Sequence, residues 1–225
     1  MSWGAIVVAA GRGTRFGGPK QLVNLAGRPL LAWSLETFAG MPELLSVALV
    51  TEAQWLADVE RLARDVLGEK CGPVVPGGAT RQRSVANGLA ALDRRCTHVF
   101  VHDGARPLVR AADVRAGMER THDGQGAVLA APVVDTIKVV DPATMLVERT
   151  LDRRLLWGAQ TPQFAMRADL ERAHARAQAL GVDATDDVAL LEGAGVQVVV
   201  IPASGENFKI THPGDLARAE VLLRK

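Results

Sequence analysis

Residues 5–21 read Ala5-Ile6-Val7-Val8-Ala9-Ala10-Gly11-Arg12-Gly13-Thr14-Arg15-Phe16-Gly17-Gly18-Pro19-Lys20-Gln21. A continuous apolar run empties into a glycine-rich loop that carries Arg12, Arg15 and Lys20. An apolar run without alternation suits a strand covered on both faces of its sheet. Glycines let backbone N–H groups approach an anion closely, and the three cations supply opposite charge. The stretch therefore reads as a buried strand followed by a phosphate-binding loop, with more charge than one monophosphate needs. Two common phosphate loops are excluded. A Walker A loop requires Gly-x-x-x-x-Gly-Lys-Ser/Thr, whereas Lys20 follows Pro19 and precedes Gln21. A dinucleotide fingerprint requires Gly-x-Gly-x-x-Gly running into a helix. Phe16 stands at its third glycine, and Pro19 interrupts any helix that would follow. What remains is Gly-x-Gly-x-Arg-x-x-x-Pro-Lys.

Outward from this loop, strand and helix patterns alternate. Strands are expected at Ala5–Ala10, Ser46–Thr51, Cys71–Val75, His98–His102, Gly126–Pro132 and Gln197–Pro202. Helices are expected at Pro29–Phe38, Gln54–Leu67, Arg81–Leu92, Ala111–Arg120, Arg167–Leu180, Asp186–Gly193 and Pro213–Arg224. Such alternation predicts a three-layer, Rossmann-like α/β fold with a mostly parallel sheet. Ligands then sit beyond the carboxyl ends of the strands. Between Val133 and Thr161 the rhythm breaks. Thr136-Ile137-Lys138-Val139-Val140, a turn at Asp141-Pro142-Ala143-Thr144, and Met145 to Leu151 read as a β-hairpin. An isolated hairpin is marginal in water, so this arm (133–161) should lie on a partner or on its own domain.

Composition narrows the class. The 225 residues suit a single domain spanning 1–225. A formal charge of +1 gives no general field for nucleic acid or a membrane surface. Two cysteines, Cys71 and Cys96, have no metal-ligand spacing and fit a reducing compartment. No apolar run approaches the ~20 residues of a membrane span, and the start leads directly into a strand. A cytoplasmic protein without nucleic-acid or membrane partners is expected.

Four further clusters carry chemistry. Val101-His102-Asp103-Gly104-Ala105-Arg106-Pro107 follows a buried strand, so Asp103 should stand at the top of the sheet facing the phosphate loop. A carboxylate there suits Mg²⁺ bridging to phosphate oxygens; the plain alternative is a turn or cap aspartate. Arg106 adds a phosphate-sized cation, while His102 reads as core or support. Pro76-Gly77-Gly78-Ala79-Thr80-Arg81-Gln82-Arg83-Ser84 is another strand end before a helix. Arg81 and Ser84 share one helix face there and could bind a base or ribose; an ordinary glycine turn capped by Thr80 is the alternative. Leu151-Asp152-Arg153-Arg154 at the foot of the hairpin reads as a solvated edge unless a ligand reaches it. Glu206-Asn207-Phe208-Lys209-Ile210-Thr211 reads as a short strand with Lys209 as an edge lysine.

These segments, in this order, resemble the 2-C-methyl-D-erythritol 4-phosphate cytidylyltransferases of the non-mevalonate isoprenoid pathway. The match runs from Ile6 to the last helix. It includes Ala-Ala-Gly-x-Gly-x-Arg with Pro-Lys-Gln, Gly-Gly-x-x-Arg-x-x-Ser and His-Asp-x-Ala-Arg-Pro. It continues through Asp135-Thr136-Ile137-Lys138, Asp152-Arg153 with Leu156-Trp157, Gln160-Thr161-Pro162-Gln163 and Asn207-Phe208-Lys209. The resemblance implies a nucleotidyltransferase fold, CTP and a polyol phosphate as reactants, and Mg²⁺ (or Mn²⁺) at Asp103. It implies that Arg15 and Lys20 steady the nucleotide phosphates during the reaction. Ala9, Ala10, Gly11, Gly13, Gly78, Arg81 and Ser84 would line the nucleotide site. Arg106 and Lys209, with Thr136 and Arg153 from the arm of a homodimer partner, would hold the sugar phosphate. Gly104 replaces the usual alanine, and Ala79 stands where some members carry an acid. A ribitol 5-phosphate cytidylyltransferase, or a silent nucleotide-binding scaffold, shares much of this pattern; the latter would be expected to lose Lys20 or Asp103.

Overall fold

The structure, a computed structural model, describes residues 1–11 and 20–224. Its strands are β1 (Trp3–Val8), β2 (Asn24–Leu25), β3 (Arg28–Pro29), β4 (Leu44–Thr51), β5 (Cys71–Pro76), β6 (His98–Asp103), β7 (Gln125–Pro132), β8 (Lys138–Val140), β9 (Val147–Thr150), β10 (Trp157–Met166) and β11 (Gln197–Pro202). Its helices are α1 (Leu30–Ala39), α2 (Leu56–Leu67), α3 (Arg81–Ala91), α4 (Ala111–Glu119), α5 (Arg167–Leu180), α6 (Asp187–Gly193) and α7 (Gly214–Leu223). Among the described residues, seven strands form the central sheet in the order β11-β7-β10-β6-β1-β4-β5. The pairings are parallel except on the two sides of β10, which runs antiparallel to β6 and β7.

The continuous apolar runs are explained by the layers. Along β1, Ala5 and Val7 face one core with Leu35 and Phe38 of α1 and Val114 of α4. Ile6 faces the other, with Val85 of α3, Leu170 of α5 and Leu190 of α6. Both faces are covered, so successive residues are all apolar. Gly117 of α4 lets that helix sit on the ring of Phe164, where a Cβ would lie 2.3 Å from Cε2. A small third core of Leu25, Leu30, Ile210 and Ala219 docks α7 beside the start of α1. Among the described residues, no helix is long and apolar enough to cross a membrane.

Chain order reverses around β1, which has β4 on one side and β6 on the other. That places a switch point between the carboxyl ends of β1 and β6, where α/β sheets open a crevice. The strand tips are tied together there. Ala9 N–H donates to the Val50 carbonyl at 2.7 Å, Gly77 N–H to Thr51 at 2.8 Å and Gly104 N–H to Val8 at 2.9 Å.

Two sequence expectations are corrected. Residues 206–211 are not a strand but an irregular segment, with the Ile210 N–H bonded to the Ala105 carbonyl at 2.8 Å. Those residues cross the top of the β6 turn instead of joining a ladder. The arm is also shorter than 133–161, because Trp157 onward belongs to β10 in the central sheet. Pro162 hid that strand from a pattern reading, since a proline argues against a central position. The ladder accommodates it by a register shift between Ala159 and Gln163. The hairpin itself is present as β8 paired with β9.

Candidate active site

The cleft is built where the β1, β5 and β6 tips converge. Ala9 is buried, and Ala10 packs against Gly77 so closely that a Cβ on residue 77 would lie 2.4 Å from the Ala10 Cβ. A glycine is therefore required for the β1 and β5 tips to meet. The Gly78 N–H donates to Ser84 Oγ at 3.0 Å, and Ser84 donates onward to the Thr80 carbonyl at 2.9 Å. Thr80 caps α3 by accepting the Arg83 N–H at 3.2 Å. Ser84 thus braces the turn. Gly13 and Arg15, expected in the phosphate loop, lie outside the described residues. Gly11 lies at the edge of the described chain and is exposed.

Asp103 is the electrostatic centre. Lys209 Nζ donates to its Oδ2 at 2.8 Å, and Arg81 Nε to its Oδ1 at 3.3 Å. Arg81 also donates to Asp187 Oδ2 at 2.8 Å. Burial opposes ionisation of Asp103, but Lys209, Arg81 and Arg106 overcome it and hold the carboxyl well below its ordinary range. Asp187 shows the reverse balance. Burial pushes its carboxyl up, and Arg81 offsets this incompletely. One Asp187 oxygen, Oδ1, has no hydrogen-bond partner.

Lys20 is buried and donates to the Ile210 carbonyl at 2.8 Å, which brings the end of the glycine-rich segment to the Lys209 segment. Arg106 donates to the Asn207 carbonyl at 2.7 Å, and its own Nε is unpartnered. Phe208 lies under the Arg218 guanidinium, 4.0 Å from the ring centroid, so α7 steadies the backbone beside Lys209. Gly104 would place a Cβ 2.9 Å from Leu31 Cδ1, the far end of a flexible side chain, so alanine at this position needs only a small shift.

The structure therefore brings Lys20, Arg81, Asp103, Arg106 and Lys209 together at one end of the sheet. Thr136 and Arg153 sit on the exposed arm, where Arg153 donates to the Val134 carbonyl at 2.9 Å. Around them Val134, Met145, Leu146, Val147 and Leu155 are exposed apolar side chains. Sequence reasoning missed Asp187. Thr185-Asp186-Asp187 reads as an ordinary helix start, and Asp186 is indeed the cap, accepting the Ala189 N–H at 2.9 Å. The second acid was the signal, because one cap needs one carboxylate.

Among the described residues, no group of three His, Cys, Asp or Glu side chains could enclose a metal ion. Asp103 is the carboxylate at the tip of β6, with Asp187 behind it on the same Arg81. Mg²⁺ commonly takes one or two carboxylates and completes its shell with water and substrate phosphates, so this donor set fits a metal that arrives with a nucleotide.

Comparison with known proteins places the chain in a family. Residues 4–225 match the family profile of 2-C-methyl-D-erythritol 4-phosphate cytidylyltransferase. The protein of that name from Prochlorococcus marinus is 42% identical over 223 residues, covering 97% of this chain and 96% of its own. The crystal structure of the Thermus thermophilus enzyme of the same name is 33% identical, with a TM-score of 0.81 and full coverage of both chains. The 4-diphosphocytidyl-2C-methyl-D-erythritol synthase of Anaerococcus prevotii aligns with a TM-score of 0.87 at 26% identity, over 100% of this chain and 96% of that one. On the strength of a profile match across nearly its whole length, and of relatives well above 30% identity, this chain belongs to the 2-C-methyl-D-erythritol 4-phosphate cytidylyltransferase family.

Proposed function

We propose that this cleft joins two anions, CTP and 2-C-methyl-D-erythritol 4-phosphate, giving 4-diphosphocytidyl-2-C-methyl-D-erythritol and pyrophosphate. An oxygen of the sugar phosphate forms a bond to the α-phosphorus of CTP. The bond from that phosphorus to the bridging oxygen breaks, and pyrophosphate leaves with the electron pair. The observation that carries this reading is the convergence of Lys20 and Arg106 on the 207–210 segment whose Lys209 reaches Asp103 at the switch point.

The chemistry explains why cations dominate. Two like charges 4 Å apart repel by about 4 kcal/mol at an effective dielectric near 20. Several such pairs must be offset before the phosphates meet. Arg15, Lys20, Arg106 and Lys209 supply that charge, and Ala9, Ala10, Gly11, Gly13, Gly78, Arg81 and Ser84 line the nucleotide side. An Mg²⁺ ion held by Asp103 and phosphate oxygens supplies further charge neutralisation when bound. No general base is needed, because the attacking oxygen is already ionised near neutrality. His102, next to Asp103, is consistent with this: burial pulls its pKa down to about 4, and it is fully enclosed. Catalysis is then alignment plus preorganised charge.

Thr136 and Arg153 join the sugar-phosphate site from the arm of a second copy. The exposed apolar side chains of the arm support this, because such a cluster on a two-stranded hairpin calls for a covering surface. Pyrophosphate release measured side by side with CTP plus methylerythritol phosphate and with CTP plus ribitol 5-phosphate tests the substrate. Preference for ribitol phosphate overturns it. Mixing inactive Lys20→Ala and Arg153→Ala proteins tests the arm, since a mixed dimer has one intact site. No regained activity after confirmed subunit exchange places both groups in one chain.

A further inference from the structure

The charged groups of the cleft come from separate pieces of chain, and one buried ring links them. His102 is fully buried, edge-on to Phe38 with 5.2 Å between centroids and 89° between planes. Its Nε2 lies 3.2 Å from the Arg106 carbonyl and its Nδ1 3.2 Å from Thr161 Oγ1. A carbonyl accepts only, so Nε2 carries the proton. The Asp103 N–H donates to Thr161 Oγ1 at 3.0 Å, which leaves the hydroxyl's own hydrogen for Nδ1.

The bonds close into a loop. Arg106 donates to the Asn207 carbonyl at 2.7 Å, and the Asn207 side-chain amide donates to the Thr161 carbonyl at 3.0 Å. Thr161 can play this part because the β10–β6 pairing ends at Gln163 and Val101, so beyond it a side-chain hydroxyl takes the N–H of Asp103. The end of β6, the Asp103–Arg106 turn, β10 and the segment leading to Lys209 are thereby fixed to one another, with His102 at the junction.

We propose that His102 is a positioning residue for the transfer reaction, holding Asp103 and Arg106 in register with the Lys209 segment so that the sugar phosphate meets all three in one geometry. The inference rests on the reading of Arg106 and Lys209 as sugar-phosphate ligands. His102 acts through Thr161 and Arg106, and displacing these groups weakens their joint hold on the sugar phosphate while leaving the nucleotide side in place.

His102→Phe keeps an aromatic ring against Phe38 and removes both hydrogen bonds. His102→Gln reaches the place of Nε2, and His102→Asn the place of Nδ1, so each retains one bond. Steady-state kinetics with each substrate varied separates positioning from packing. The expected result for His102→Phe is a KM for methylerythritol phosphate raised about tenfold or more, with the KM for CTP within about twofold. The Gln and Asn variants should fall between Phe and the unmodified chain. Unchanged KM values, equal rises in both, or a lower kcat with both KM values unchanged overturns the proposal, since loss of packing alone would do that. Should the Phe variant not fold, the Gln and Asn variants decide on the same split. An unmodified chain inactive with methylerythritol phosphate overturns the functional reading and this inference with it, whereas an active one whose variants show no split overturns this inference alone.

Discussion

Replacing Arg81 by methionine should expose how the cleft stores charge. The guanidinium bridges Asp187 at 2.8 Å and Asp103 at 3.3 Å, and the two carboxylate side chains are 2% and 11% exposed. Asp103 retains Lys209 after the substitution, whereas Asp187 loses its ion-pair partner. Removing one member of a buried pair costs about 3–5 kcal/mol, because the other charge is left uncompensated. With a slope of about 3 kcal/mol/M, the urea midpoint at pH 7 should fall by about 1–2 M. The pH dependence identifies the group responsible. The Asp187 carboxyl already lies above its ordinary value, since burial outweighs Arg81, and it rises further without the guanidinium. A group whose folded pKa exceeds its unfolded pKa binds more protons when folded, so its cost grows as pH rises and fades as pH falls. The Arg81→Met penalty should therefore be larger at pH 8 than at pH 5. Asp103, held below its ordinary value, contributes stability that is lost only in stronger acid, so it adds no slope in that window. Asp187→Asn in the Arg81→Met background should recover at least about half of the loss at pH 7. A midpoint within about 0.3 M of the unmodified chain, or an identical penalty at pH 5 and pH 8, would refute the argument that Asp187 is the strained member.

Three other outcomes are expected. Lys20→Ala should lower kcat by about 10²-fold in a pyrophosphate-release assay, in line with loss of one preorganised donor; a near-normal kcat removes Lys20 from the chemical step. Lys209→Met should raise the KM for methylerythritol phosphate about tenfold while leaving that for CTP within about threefold, and a larger effect on CTP would move Lys209 to the nucleotide side. Gly117→Ala places a methyl 2.3–2.8 Å from three ring atoms of Phe164 and should lower stability by about 1–3 kcal/mol, a Tm drop of several degrees in a melting curve, whereas an unchanged Tm means that α4 lifts freely.

The sheet strands whose apolar runs end in glycine or aspartate were legible because burial on both faces leaves a continuous signature, as in Ile6-Val7-Val8 and Val99-Phe100-Val101. The helices were legible within a residue or two because each buries one apolar stripe, as Val59, Ala63 and Leu67 do in α2. β10 was not, because its Pro162 sits where the ladder is already interrupted and a central strand is not expected to carry one. Asp103 and Arg106 were readable as a cleft turn from their place after β6. Lys209 was readable only by resemblance, because its alternation with Phe208 and Ile210 mimics an edge strand, while the segment actually threads between α7 and the β6 turn. Asp187 was hidden by its neighbour: 84 residues separate it from Asp103, and no local spacing can report that both reach one guanidinium.

Among the described residues, each cation of the cleft already has an internal acceptor, and this shapes how substrates would be received. Lys209 rests on Asp103, Lys20 on the Ile210 carbonyl and Arg106 on the Asn207 carbonyl. A phosphate therefore exchanges acceptors with the protein instead of meeting unbonded cations. Such exchange keeps the desolvation cost of the empty cleft low, because a buried charge without partners would be far more costly than a paired one. It also makes the two acceptor classes unequal. Arg106 loses a neutral partner on exchange, whereas Lys209 must leave a carboxylate, which binds it more strongly. Asp103 thus sets a threshold for releasing Lys209, and a dianionic sugar phosphate, or a divalent ion taking the same carboxylate, can meet it where a weaker anion cannot. Sulfate titrated against the protein should accordingly protect Lys209 from amine-reactive labelling at lower concentration in Asp103→Asn than in the unmodified chain. Equal concentrations, or the reverse order, would mean that the Asp103–Lys209 contact contributes nothing to selection.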